Sequence, residues 1–114
     1  MSALPDDIDA LRASAGRAVE LMKVLSNPER MLLLCQIAKR ECNVGELESA
    51  LAIRQPTLSQ QLGVLRRAGM VATRRSGKQV HYRIASPEAL AVINTLYELY
   101  CKPASTACAE PGGA

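Results

Sequence analysis

A chain of 114 residues, 48% hydrophobic and 22% charged, has room for one domain with a real apolar core and not for two. Three tyrosines are its only aromatic side chains, so that core must be aliphatic, and the ordinary globular balance excludes disorder over most of the length. The net charge of +3 hides a segregation. Residues 54–83 carry seven arginines and lysines and no carboxylate, which leaves seven bases and eleven acids, or −4, for the rest. The opening MSALPDDIDA has neither the basic lead nor the apolar stretch of a secretory signal, and no apolar run nears the ~20 residues of a membrane span. A cytoplasmic location with no membrane partner is therefore expected. There the four cysteines, at 35, 42, 101 and 108, should rest as thiols, although their number would allow two disulfides.

In chain order, Ile8, Leu11, Ala15, Ala18, Val19, Met22 and Leu25 recur at helical spacing and predict a first helix that stops before SNPER. Asn27 is placed there to cap a second helix beginning at Pro28. That helix, PERMLLLCQIAKR, is apolar on most sides through residues 31–35 and Ile37, and reads as the buried centre. After ECN, the segment VGELESAL puts Val44, Leu47 and Leu51 on one face. Residues 52–54 then turn the chain into QPTLSQQLGVLRRAG, where Leu58, Leu62 and Leu65 fall at i, i+4, i+7 and Pro56, Gln60, Gly63 and Arg67 lie opposite. Two short helices about a tight turn, the second polar outward, predict a helix-turn-helix.

Beyond it the period changes. Val80, Tyr82 and Ile84 alternate with Gln79, His81 and Arg83 as in a strand with one covered face. With MVATRR before it and Ser76-Gly77 at the turn, it forms a β-hairpin with Arg74, Arg75 and Lys78 about its tip. From Pro87, EALAVINTLYELYC is helical again. Its apolar residues, Leu90, Ile93 and Tyr97 on one side and Val92, Leu96 and Leu99 on another, form a wider band than a small domain needs, so a second subunit is the expected cover. The expected fold is mainly α with a β-hairpin wing: a winged helix-turn-helix in ααααββα order, dimeric through its terminal helices. It occupies residues 1–102, and residues 103–114 form a flexible tail.

The acid-free segment has a physical reason if the partner is duplex DNA, because carboxylates near the phosphate backbone weaken binding while each base that displaces counterions strengthens it. A major groove admits one α-helix whose short amide and hydroxyl side chains reach base edges. Gln55, Thr57, Ser59, Gln60 and Gln61 are such residues at the start of the predicted reading helix, with Arg67 farther along its outward face. Arg74, Arg75 and Lys78 suit phosphate or minor-groove contact. Other classes fit less well. No two cysteines have the C-x-x-C spacing of a dithiol oxidoreductase, and the patch has no exposed aromatics to stack on RNA bases. One histidine in the chain leaves no nucleophile, base and orienting group, so an enzyme is not expected.

LSNPERMLLLCQIA, VGELESALAIRQPTLSQQLGVLRRAGMV and RRSGKQVHYRI, in that order over roughly residues 15–101, resemble the winged-helix repressors of the ArsR/SmtB family. The resemblance implies a homodimer that holds operator DNA and lets go when an inducer arrives. The family's metal sites are largely missing. Asn43-Val44-Gly45 stand where a CVC-like pair of thiolate ligands would be, with Cys42 displaced by one, and the terminal helix has no histidine. His81, in the wing strand, reads as a surface or DNA-proximal residue. No metal or cofactor is assigned, and thiolates of Cys35, Cys42 and Cys101 stay as the alternative set for a metal or arsenite. The dithiol branch that senses reactive sulfur and redox state matches better, since Cys35 follows the leucines of the second helix and Cys101 ends the last. That match implies a sensing pair, Cys35 and Cys101, bridged by persulfide, polysulfide or oxidant as a disulfide or a longer sulfur link. It gives no role to Cys42 or Cys108.

Overall fold

A computed structural model describes residues 7–101, and every helix in it starts at a side chain that supplies a missing acceptor for the first N–H groups. Helix α1 (Ile8–Leu25) is capped by Asp7, and α2 (Pro28–Lys39) by Asn27, which accepts from the Arg30 N–H at 3.0 Å. Helix α3 (Val44–Leu51) opens on a reciprocal pair: Asn43 Oδ1 accepts the Glu46 N–H at 2.8 Å, and the Glu46 carboxylate accepts the Asn43 N–H at 2.9 Å. At α4 (Thr57–Arg67) the capping position is Pro56, whose ring has no acceptor to offer, and Gln55 reaches over it to accept the Ser59 N–H at 3.1 Å. Ser86 caps α5 (Pro87–Leu96), which runs on into a wider π-type turn, Tyr97–Cys101. Helix α4 ends on Gly69 at φ +76°, where the Gly69 and Met70 N–H groups donate to the carbonyls of Arg66 and Leu65.

Three strands form one antiparallel sheet in the order β1-β3-β2: β1 (Cys42–Asn43), β2 (Val71–Ser76) and β3 (Gln79–Ile84). Gly77, at φ +63°, takes the first position of the two-residue loop between β2 and β3, where a side chain would be strained. The hairpin is as expected, but β1 is an addition. ECN reads in the sequence as a link, whereas here Cys42 pairs with Tyr82 and Asn43 with His81. A two-residue strand is too short to show a period, and only its partner reveals it. Its register puts Cys42 with Tyr82 and Thr73 on one face, and Asn43 with His81 and Arg74 on the other.

The core is aliphatic, built on Leu33, Leu34, Leu47, Leu58, Leu62 and Leu65, with Ile37, Val71 and Ile93 around them. The run of residues 31–35 is not buried throughout: Met31 and Cys35 are half-buried and Leu32 is 47% exposed. Successive helical residues turn by about 100°, so a five-residue apolar run cannot all face one core. Helix α1 departs further. Of its apolar stripe only Leu25 is buried, while Ile8, Leu11, Val19 and Met22 stand exposed. The predicted tail, residues 103–114, and Cys108 lie outside the described residues.

What anchors α1 is Arg30 at the start of α2. Its Nε donates to the Val24 carbonyl at 2.7 Å, which the end of α1 leaves open, and its Nη2 to the Lys23 carbonyl at 3.2 Å, which also accepts from Ser26; its Nη1 donates to Gln61 Oε1 on α4 at 3.0 Å. One guanidinium therefore joins three helices, using a fork that lysine lacks. Arg30→Ala should lower the unfolding free energy by about 2 kcal/mol in urea titration, since charged hydrogen bonds to partly buried partners are lost, and Arg30→Lys should recover only part of it. The turn between α3 and α4 places Ala52 at φ +58°, a left-handed conformation that favours glycine. Ala52→Gly should raise the thermal midpoint, by up to ~1 kcal/mol in stability, because relief of strain outweighs the entropy glycine adds to the unfolded chain.

Candidate nucleic-acid interface and thiol pair

Burial of Leu58, Leu62 and Leu65 fixes the rotation of α4 and turns Ser59, Gln60 and Arg67 outward, all exposed. Ser59 and Gln60 make no side-chain hydrogen bond among the described residues, so their hydroxyl and amide are free for base edges. Arg67 folds along the helix over Gly63, where a Cβ would sit 3.1 Å from its Nη1. No acidic side chain occupies the first turn of α4, which leaves the positive end of the helix dipole unopposed. The remaining predicted readers are engaged. Thr57 is half-buried, Gln55 caps the helix, and Gln61 lies on the flank with its oxygen on Arg30. Because arginine only donates, Gln61 must present its oxygen inward, and its NH2 is left as a donor alone.

In the hairpin the three predicted bases divide. Arg75 and Lys78 are exposed and unpaired among the described residues. Arg74 is held. Its Nε lies 3.0 and 2.9 Å from the two Glu41 oxygens and its Nη2 lies 2.8 Å from Oε1. Hydrogen bonding to Arg74 pulls the Glu41 carboxyl below its ordinary range against the opposing effect of desolvation, with the charge of Arg74 and the lesser influence of His81 and Arg83 adding to the pull. The same contact raises Arg74. Asn43 Nδ2 donates to Gln79 Oε1 at 3.1 Å and ties β1 to the wing a second time. Neither Glu41 nor Arg30 stands out in the sequence: Glu41 lies outside the basic segment, and Arg30 is one more charge at a helix start.

The two predicted sensing cysteines differ in setting. Cys35, half-buried on α2, has its thiol pushed up by burial and by the neighbouring charge of Cys101, with Lys39 acting in the opposite sense. Cys101, in the π-type turn, is exposed. The fold thus returns the end of the last helix to the electrostatic neighbourhood of α2, across 66 residues of chain. Cys42 is 1% exposed in β1, and its Sγ donates to the Arg40 carbonyl at 3.2 Å. Desolvation raises that thiol, with Glu46 adding to the effect. Among the described residues no three histidine, cysteine or acidic side chains converge as metal ligands would, so Cys35, Cys42 and Cys101 do not form one group. No helix among them is long and apolar enough to cross a membrane.

Residues 27–73, from the cap of α2 to the start of the wing, match the family model described as bacterial regulatory protein, arsR family. A biofilm growth-associated repressor of Agrobacterium fabrum is 50% identical over 96 residues, covering 84% of this chain and 82% of that one. The transcriptional activator HlyU of Vibrio cholerae is 39% identical over 98 residues, covering 86% and 91%. The crystal structure of the transcriptional repressor BigR from Xylella fastidiosa superposes with a TM-score of 0.78 at 43% identity, over 85% of this chain and 99% of that one. Identity at this level over nearly the whole of each relative, on a shared winged helix-turn-helix, makes this chain a member of the ArsR family of bacterial regulatory proteins.

Proposed function

We propose that the chain is a homodimeric transcriptional repressor that holds operator DNA with α4 and the wing, and releases it when Cys35 and Cys101 are bridged by reactive sulfur. The observation that carries the DNA reading is the free, outward Ser59-Gln60 pair on an acid-free helix start, beside the unpaired Arg75 and Lys78. The names of the relatives, repressors among them, support the same role. The dimer rests on surface that the chain leaves uncovered: Ile8, Leu11, Val19 and Met22 of α1, Leu90 of α5, and Tyr97, Leu99 and Tyr100 beyond it. Two-fold symmetry then sets two α4 helices in successive major grooves, about 10 bp apart.

The thiol settings favour one order for the proposed sulfur chemistry. Exposed Cys101 meets the reagent. Its thiolate attacks the outer sulfur of a persulfide R–S–SH, expelling RS⁻ and leaving Cys101–S–SH. The Cys35 thiolate then attacks Cys101 Sγ, expels HS⁻ and closes a disulfide; a further sulfur transfer before closure would give a longer bridge. Either link ties the terminal helix to α2, and through Arg30 to α4 and α1. A metal or arsenite reading through Cys35, Cys42 and Cys101 has less support, since Cys42 is buried on the sheet and apart from the other two.

Division of labour within the interface is open to substitution. Duplexes enriched from a randomised library should show an inverted repeat, and Ser59→Ala or Gln60→Ala should reduce preference for it over random DNA by ~1–3 kcal/mol per lost base contact. Arg75→Ala or Lys78→Ala should weaken both kinds of DNA and flatten the salt dependence. Wing variants that lose preference while helix variants lose only general affinity would reverse the assignment.

Cys35→Ser and Cys101→Ser should bind DNA as the parent does but no longer release it on persulfide treatment, whereas Cys42→Ser and Cys108→Ser should still respond. Because burial and Cys101 hold the Cys35 proton on, its thiolate is scarcer at neutral pH than that of a free cysteine. Closure, followed by intact mass, should therefore accelerate with rising pH to beyond the ordinary thiol range of about 8.5. A closure rate already level at neutral pH would contradict this order of attack.

A further inference from the structure

The segment without carboxylates, residues 54–83, acquires one through the fold. Strand β1 sets Cys42 opposite Tyr82 and Asn43 opposite His81, and the same register carries Glu41 towards Arg83 on the outer face of the sheet. There both Glu41 oxygens are taken by the Nε and Nη2 edge of Arg74, at 2.8 to 3.0 Å. That edge is one of the two forks with which an arginine can grip a phosphate in two parallel bonds, so the carboxylate occupies donors, and offsets a charge, that a DNA backbone would use. The pair is not sealed off. The Arg74 side chain is 53% exposed and that of Glu41 29%, so the pair as a whole stays open to solvent. Exposed ion pairs are weak enough to exchange partners.

We propose that Glu41 is an internal competitor for phosphate that sets the strength of sequence-independent DNA binding. It keeps that Arg74 fork from the DNA backbone, leaving Arg75, Lys78 and Arg83 as the hairpin cations without a carboxylate contact among the described residues. Phosphate contacts carry no sequence information, whereas α4 carries the base contacts, so restraint at the wing limits attraction to any duplex without touching the readers. Glu41 acts through Arg74 and is a positioning residue. The inference rests on the DNA-binding reading above.

The test uses the full chain, a random-sequence duplex of about 30 bp, and affinities across a range of about 50 to 200 mM salt. Glu41→Gln should bind several-fold tighter than the parent at the low end, and the slope of log affinity on log salt should steepen by about 0.9 for each wing engaged, so that the advantage shrinks about 3.5-fold per wing across the range. Glu41→Asp, which keeps the charge, should retain a slope near the parent's. In an Arg74→Ala background, Glu41→Gln should change neither affinity nor slope. Tighter binding in that background would mean a diffuse charge effect and would overturn the inference, as would a Glu41→Gln slope equal to the parent's. Failure of the parent itself to bind the duplex at any salt is a separate outcome, which overturns the DNA reading on which this one stands.

Discussion

Everything the protein presents to a partner depends on the leucines that lock α4 in rotation. Leu58, Leu62 and Leu65 are buried in one cluster with Leu33 and Leu34 of α2 and Leu47 of α3. Each contributes ~1.5–3 kcal/mol by leaving water. Turning α4 by one residue would expose them and draw Ser59 or Arg66 inward, at the further cost of burying polar groups without partners. The outward direction of Ser59, Gln60 and Arg67 is thus a consequence of packing behind them. The start of the helix is fixed as firmly, because Pro56 cannot cap it and Gln55 does. A side chain of the type suited to reading bases is instead used to hold the reader.

Charge in this molecule is segregated along the chain and partly recombined in space. The acid-free segment is a fact of sequence, but a sheet brings distant residues side by side, and β1 delivers Glu41 to Arg74 across 33 positions. Six of the seven bases keep no carboxylate contact among the described residues, so the face stays positive, and the single neutralised base lies in the wing and not in α4. Net charge over the segment therefore overstates the number of cations free for phosphate by one.

Helices and hairpin were legible because their signals are local. Apolar period, the cap at Asn27 and the Ser76-Gly77 turn each act within a few residues. Strand β1 was not legible, since two residues carry no period and their pairing with Tyr82 and His81 is a tertiary event. Burial in α2 is less complete than its apolar run suggests for a similar reason: such a run shows that a helix is central, and only its neighbours decide that Leu32 faces out. At the interface, residue type identified the candidates but not their occupation. Gln55, Gln61 and Arg74 have suitable chemistry and existing partners, while Ser59, Gln60, Arg75 and Lys78 have suitable chemistry and none within the described residues.

The proposed sensor sits where the chain supports itself least. Helix α1 buries only Leu25, and beyond Ile93 the last helix opens into a turn whose Leu99 and Tyr100 are 67% and 81% exposed. Surfaces of that kind gain stability when a second subunit covers them, so in the proposed dimer their arrangement would be set by that contact and would be the easiest part of the fold to shift. The interior of α2, α3 and α4 is the opposite, close-packed and slow to deform. A bond between Cys101 on the loose element and Cys35 on the rigid one would therefore move the dimer helices and leave the reading unit intact. A hundredfold fall in operator affinity asks for a bias of only ~2.7 kcal/mol between two dimer geometries. Arg30, which joins the end of α1 to α2 and to Gln61 of α4, is the polar link through which such a shift would reach the proposed reading helix.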